Sequence, residues 1–539
     1  MPFFRFKMFK IKNKRDKFIK RFRIKKIMQN IEEIRTILIG YTDKKIINGK
    51  SLNEIITIDN IPISFFLETF MDPQAMLPKQ INPFLTKKFN SIKKIEFKIN
   101  TILIKIYSKY NEINKLNYFK KKKQFTNNPK CLFLTYTNHL SSDNTIFRIE
   151  KIINYIKKDP AIQELVLFTD LLSSNKYKKI NDFDNIYQYY DDEISQKAKK
   201  LSKEIYFKIS HINKEVKKEL FKNNNLDLWN QLKYGFEFYF SKQFLYLIIL
   251  YYEISKKIIE KENVKIVILN GQNGLFDKCI LAASKTKNIQ SMYIKHGIGT
   301  FEYGNQYLNY FTRIAMFNEK EKNKIEKLRK LNNLFVTGPV IFDEIFDFKT
   351  KYKKHNQKKV LIVTQALVND NYLTKQIYFK KMGLLLKELK TILKIEVIIK
   401  LHPRDSYKKE WFEIAKKAGL DIQVFDGQIS RNEFYKLIGN TNFLIHTGST
   451  CAFEAMILDK SIITYDIAKS KKLTEEFLKC DIGAFIKEPE EIKEALIKVL
   501  SKEKIYKKNR LLYIKKICGT IDGNASEKVY QEIKKLIKF

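Results

Sequence analysis

The stretch Asn442-Phe443-Leu444-Ile445-His446-Thr447-Gly448-Ser449-Thr450-Cys451-Ala452-Phe453-Glu454 decides how this chain is read. Its first five residues form a short apolar run that ends in a glycine turn, the pattern of a buried strand. Gly448 permits the tight turn, and the hydroxyls of Ser449 and Thr450 suit the start of the next helix. Strand, turn and helix in that order aim backbone N–H groups and the positive helix end at one edge of a sheet, where a phosphate group fits. A capped helix with a satisfied glutamate has the same local sequence, so the neighbourhood has to decide.

On both sides the same alternation repeats. Residues 359–364, 395–401, 422–425 and 461–465 read as apolar strands, with helical patterns over 378–393, 410–418, 431–438 and 451–458 between them. Upstream, strands over 130–136, 165–169, 264–269, 291–294 and 314–317 alternate with a helix that ends near Tyr155 and a helical stretch from about 194 to 262. Two such cycles predict an α/β chain with two Rossmann-like, doubly wound domains that face a cleft at their strand C-termini. A polar, Lys-rich connector over 341–357 follows Gly338-Pro339. The expected division is a basic N-terminal accessory region (1–127), a first Rossmann-like domain (128–345) and a second (346–539). Within the accessory region, Ile37–Gly40 and Ile55–Ile58 read as β-like runs.

Composition narrows the function. With 539 residues and 44% hydrophobic residues the chain can bury more than one core. The balance of 102 Lys plus Arg against 59 Asp plus Glu is +43. Only 11 of those cations are Arg, the residue that bidentate phosphate or guanine reading prefers, so no specific nucleic-acid partner is expected. The five cysteines are scattered without a CxxC pair, which indicates neither zinc nor disulfides and fits a reducing cytoplasm. No apolar run approaches the roughly 20 residues needed to span a bilayer. Residues 1–30 carry 12 basic residues against one acidic, interleaved with phenylalanines, and suit an anionic membrane surface. The expected location is cytoplasmic, peripheral on the inner face of the plasma membrane.

Two further segments join the hydroxyl turn. In Lys400-Leu401-His402-Pro403, Pro403 keeps His402 extended and stops the strand, presenting the imidazole at the sheet edge. In Tyr293-Ile294-Lys295-His296-Gly297-Ile298-Gly299-Thr300, Gly297 and Gly299 allow backbone to approach a ligand, and His296 is placed to act as a base on an acceptor hydroxyl. His296, His402 and His446 are half of the six histidines, and all fall at expected strand ends.

An HG segment in the first domain, HP after a strand in the second, and a Gly-Ser-Thr turn followed by a helical Glu resemble GT-B enzymes of surface-polymer synthesis. The pattern is similar to capsule polysaccharide transferases and CDP-glycerol glycerophosphotransferases. Val336-Thr337-Gly338-Pro339 and Asp522-Gly523-Asn524-Ala525-Ser526-Glu527 resemble segments of the wider group that includes the UDP-N-acetylglucosamine 2-epimerases. The resemblance covers about residues 130–539. It implies transfer from a CMP-, CDP- or UDP-linked donor to a lipid-linked or polysaccharide acceptor, with no cofactor; no convincing DxD-type motif is present, Asp191-Asp192-Glu193 reading as surface charge, so a metal-independent route is expected. It also implies catalytic roles for His296 and His402, and donor-nucleotide binding by Ser449, Thr450 and Glu454; Lys400, Pro403, His446, Thr447 and Gly448 adjoin them in the same segments and complete the expected donor site. Gly297 and Gly299 then face the acceptor, and the segment from Ala525 packs back onto the first domain. The alternatives are a UDP-sugar 2-epimerase-like enzyme and a non-catalytic basic polymer-binding protein.

Overall fold

The computed structural model describes residues 37, 40–67, 127–136, 139–141, 143–146, 148–169, 184–223, 226–271, 274–295, 297, 306–351, 359–370, 372–392, 395–469, 474 and 477–537. The basic segment 1–30, most of the accessory region, His296 and Gly299 lie outside them. One compact unit draws on 1–135, 160–292 and 301–312, the other on 136–159, 293–300 and 313–539.

In chain order, α1 (Leu52–Ile55), the hairpin β1 (Thr57–Ile58) and β2 (Ile61–Pro62), and α2 (Ile63–Leu67) come first. Then follow β3 (Lys130–Thr135), α3 (Glu150–Lys157), β4 (Gln163–Phe168), β5 (Asp184–Asn185), α4 (Asp192–Ser210) and α5 (Lys214–Leu220). A second hairpin, β6 (Lys222–Asn223) and β7 (Leu226–Asp227), leads to α6 (Trp229–Tyr239), α7 (Lys242–Lys261), β8 (Val264–Leu269), α8 (Leu275–Thr286) and β9 (Gln290–Ile294). The chain continues with β10 (Arg313–Met316), α9 (Glu319–Arg329), β11 (Leu334–Val336), α10 (Asp343–Lys351), β12 (Lys359–Val363), α11 (Lys375–Lys390), β13 (Glu396–Lys400) and α12 (Lys408–Ala418). It ends with β14 (Ile422–Phe425), α13 (Arg431–Gly439), β15 (Phe443–His446), α14 (Cys451–Ile457), β16 (Ser461–Tyr465), β17 (Ala484–Ile486), α15 (Ile492–Ser501), α16 (Glu503–Cys518) and α17 (Ala525–Leu536).

Apart from the two hairpins, the strands fall into one sheet of seven and one of six, the α/β architecture with two Rossmann-like sheets that the alternation predicts. In the first unit β3 lies between β4 and β8, parallel to both. In the second unit the order is β14-β13-β12-β15-β16-β17, parallel throughout. Both faces of this sheet are covered. Along β12, Val360 and Ile362 join one core with Val397, Ile399 and Ile445, while Leu361 and Val363 join another with Ile398 and Leu444. A strand buried on both sides has to be apolar at every position, which is why these segments read as unbroken apolar runs.

Four differences from the sequence reading have local causes. Ile37 and Gly40, expected in a strand, have helical backbone. The stretch 194–262 is four helices because Asn213, Asp227 and Ser241 take backbone N–H groups at new helix starts. The connector is helical over α10. Its Asp343 carboxylate accepts from Ala525 N at 3.2 Å and Ser526 N at 2.5 Å, clamping the start of α17. Strands β11 and β17 have three residues each, too few to show a period. Helix α17 packs on α3, with Tyr155 and Tyr530 stacked at 5.4 Å and Tyr530 Oη donating to Asp159 at 2.6 Å.

Candidate functional site

In the second sheet the chain leaves β12 for β13 on one side and later returns to β15 on the other, so β12 and β15 flank the topological switch point. Ligands of open α/β sheets bind at the strand C-termini there. Thr364, Gln365, His402 and Thr447 to Thr450 all belong to segments that leave β12, β13 and β15 at those ends. Gln365 Nε2 donates to Gly448 O at 3.1 Å and ties the two sides of the switch point together.

The HP turn is built on backbone. His402 N donates to Thr364 Oγ1 at 2.8 Å, Thr364 Oγ1 donates to Asp405 Oδ2 at 3.0 Å, and Asp405 N returns to His402 O at 2.7 Å. Arg404 N donates to His402 Nδ1 at 3.2 Å, while its guanidinium grips Asp370 through two bonds of 2.8 and 2.9 Å. Burial, then the Arg404 and Lys400 charges, push the His402 pKa down to about 4. The ring is therefore neutral at pH 7. With Nδ1 accepting, its proton sits on Nε2, which can donate a hydrogen bond to an anionic oxygen.

Gly427 completes the turn. A Cβ there would stand 2.5 Å from His402 C and Pro403 N, so only glycine lets this loop lie against the HP backbone. Lys400 is buried and spends its ammonium on Leu401 O at 3.1 Å and Gly427 O at 3.0 Å. It holds the same loop rather than projecting outward. Pro403 is exposed.

The hydroxyl turn is shaped differently from the sequence reading. Gly448 takes φ +97°, the left-handed region that the turn requires. His446 is fully buried, its Nδ1 accepting from Gly448 N at 3.2 Å and its Nε2 bonded to Thr464 Oγ1 at 3.0 Å. Burial pushes its pKa down to about 3. It is a neutral brace for the turn, and its ring nitrogens are both committed. Ser449 is buried and its Oγ accepts from Cys451 N at 3.3 Å, whereas Thr450 is exposed and its side chain makes no capping bond. The Thr447 hydroxyl is buried and has no hydrogen-bond partner among the described residues.

Glu454 is buried and paired with Arg431, whose guanidinium also donates to Tyr435 Oη at 2.7 Å. Its carboxylate faces a cation inside the protein. A second guanidinium, the half-buried Arg148, lies close enough that the Arg431 charge adds to desolvation in lowering its pKa, to about 10. Lys400, Arg431 and Arg148 thus place one buried and two half-buried cations around this edge, set against the buried Glu454 and the half-buried Glu344. Arg148, Gln365, Gly427 and Arg431 had no sequence signal of their own. Gly297 is described, and a Cβ there would meet nothing within 4 Å.

Residues 349–535 match the family model described as CDP-Glycerol:Poly(glycerophosphate) glycerophosphotransferase. No curated protein matches the chain. Among solved structures, the UDP-GlcNAc 2-epimerase from Neisseria meningitidis bound to UDP-GlcNAc is similar at 14% identity and TM-score 0.47, over 76% of this chain and 99% of that one. The wall teichoic acid polymerase TagF is similar at 13% identity and TM-score 0.43, over 83% and 97%. At these scores the likeness transfers no residue role. Both the His402 turn and the Thr447–Thr450 turn lie inside the matched stretch, which supports a transferase that uses a nucleotide-activated donor in cell-wall polymer synthesis.

Proposed function

We propose that this protein transfers glycerophosphate from a CDP-linked donor to the end of a lipid-linked or polysaccharide acceptor. The carrying observation is the neutral His402, with Nδ1 occupied and Nε2–H available, at the switch point of a sheet that falls within the family match. The acceptor hydroxyl oxygen forms a bond to the donor's distal phosphorus. The bond from that phosphorus to the bridging oxygen breaks, and nucleoside monophosphate leaves with the electron pair. His402 Nε2–H donates to a phosphate oxygen whose charge grows during transfer, and Thr450 with the backbone of the 447–450 turn holds the remaining oxygens. The hydroxyl proton passes to a base, a role we assign to His296, which lies outside the described residues. The cations Arg431, Lys400 and Arg148 bias the edge toward an anion, so the reaction is assigned no metal requirement.

We place the protein on the inner face of the membrane. Among the described residues no helix is long and apolar enough to cross a membrane. Helix α16 instead exposes Ile505, Leu511 and Leu512 by 55–58%, on the side that carries exposed Lys504, Lys508, Lys515 and Lys516. Aliphatic side chains among lysines suit an anionic bilayer surface.

A thermal-shift series with CMP, CDP, UMP, UDP, GDP and dTDP tests the donor assignment. Ligand at 100 times its dissociation constant adds about 2.7 kcal/mol of stability. Stabilisation by CDP or CMP above the others supports it. A uniform absence of shift in folded protein removes the nucleotide site.

A further inference from the structure

The two sheets end alike at their switch points. In the second unit the last paired positions of β12 and β15 are Val363 and His446, and the next residues are Thr364 on one strand and Thr447-Gly448 on the other. In the first unit the last paired positions of β3 and β8 are Leu134 and Leu269, and the next residues are Thr135 on one strand and Asn270-Gly271 on the other. Each site therefore has a threonine on its first strand, facing a polar residue and a glycine on the strand across the switch point.

The likeness extends to hydrogen bonding. Thr447 is 3% exposed and its hydroxyl has no partner among the described residues. Asn270 is 1% exposed, and neither Nδ2 nor Oδ1 has a partner among the described residues. A carboxamide offers two donors and two acceptor lone pairs, so Asn270 is the costlier group to leave unpaired. The preceding position contrasts with it: His446 in the second unit is fully satisfied by Gly448 and Thr464. Unpaired buried polar groups thus occur at one equivalent position in both units, where open α/β sheets bind their ligands.

We propose that Asn270 is the anchor of a second ligand site, in the first unit, that takes a neutral diol such as the terminal glycerol or sugar hydroxyls of the acceptor. This rests on the transferase reading above. The chemistry favours a neutral group over a phosphate. A carboxamide carries no charge and matches hydroxyls, which also both donate and accept. At the start of the adjacent α8, Gly274 N already donates to the buried Asp277 carboxylate at 3.1 Å, which places negative charge where an anion would otherwise sit. Gly271 allows close approach of the backbone.

The variant Asn270→Leu keeps the size of the side chain and removes its polarity. Full-length wild-type and N270L proteins are compared for melting temperature, for CDP binding, and for binding of a glycerol-terminated glycerophosphate oligomer by calorimetry. The expected result is an unchanged or raised melting temperature, unchanged CDP binding, and oligomer binding at least ten-fold weaker. A clear fall in melting temperature would mean that the amide is satisfied within the folded protein, and the proposal fails. It also fails if wild type binds CDP but not the oligomer, or if N270L binds the oligomer as wild type does. A wild type that binds no CDP overturns the transferase reading first, and with it the acceptor assigned to this site. Asn270→Gln retains the carboxamide and is expected to recover part of the oligomer binding.

Discussion

The backbone N–H of Arg404 points at Nδ1 of His402, 3.2 Å away, and so sets which nitrogen of that ring carries the proton. What holds the turn itself is the His402 backbone N–H on Thr364 Oγ1, not the imidazole. Removing the ring therefore leaves the turn standing. His402→Ala is expected to lower turnover by 100-fold or more, the usual scale for losing one donor to a developing oxyanion, while the melt stays nearly unchanged. An active variant, or one that unfolds, takes His402 out of the site.

Two histidines make the second unit acid-sensitive. The folded pKa values of His402 and His446 lie at about 4 and about 3, below the ordinary 6.5. The unfolded chain binds the proton more readily, so stability is fully present above pH 6.5 and is lost as pH falls. The slope is roughly 1.4 kcal/mol per pH unit for each histidine until its folded pKa is reached. Melting temperatures measured from pH 7 to 4.5 should fall accordingly. His446→Asn should flatten the slope by about half, and an unchanged slope would mean that His446 is not desolvated.

Glu454 is expected to behave as a structural anion. Glu454→Ala leaves Arg431 buried without its carboxylate, a change that costs about 3–5 kcal/mol. Denaturant unfolding should show that loss together with any loss of activity. A variant of full stability that fails to bind nucleotide would return Glu454 to the donor site.

The second sheet was legible because the interiors of strands buried on both faces have to be apolar, as Val360–Val363 of β12 and Val397–Ile399 of β13 are. The strand ends were legible for the same reason: His402 and the Thr447–Thr450 turn are where the apolar runs stop. What those residues do there was not legible. His446 looks like His402 in sequence, yet one ring is sealed under Phe477 and bonded at both nitrogens while the other keeps Nε2 available. That difference comes from Thr464, on another strand. The Arg431–Glu454 pair spans 23 positions, and Gly427 packs against His402 and Pro403 more than 20 positions away, contacts that no local period records.

Gly427 gives the sharpest packing test. A methyl group at this position collides with His402 C and Pro403 N, both backbone atoms that cannot swing aside. Gly427→Ala should cost about 1–3 kcal/mol by overpacking and lower turnover as well, because the HP turn has to move. Gly383→Ala is the control, since its Cβ would meet only Ile414 side-chain atoms at 3.8 Å or more in the middle of α11, and it should be neutral or stabilising. Equal behaviour of the two variants would refute the close approach.

Helix α16 cannot hide its leucines by rotating. Its inner side is fixed by buried Tyr506 and Tyr513, and by Arg510, which bonds Glu503 at 2.6 Å and pairs with Asp459. Leu511 and Leu512 therefore stay in water unless something covers them. Leu511→Glu with Leu512→Glu should leave the melt within about 0.5 kcal/mol of wild type, as exposed substitutions do. The same pair should abolish co-sedimentation with phosphatidylglycerol vesicles. Wild type should sediment with those vesicles and not with phosphatidylcholine alone, and 1 M salt should weaken it by screening the lysines. Binding that survives the double substitution would move the membrane contact off α16.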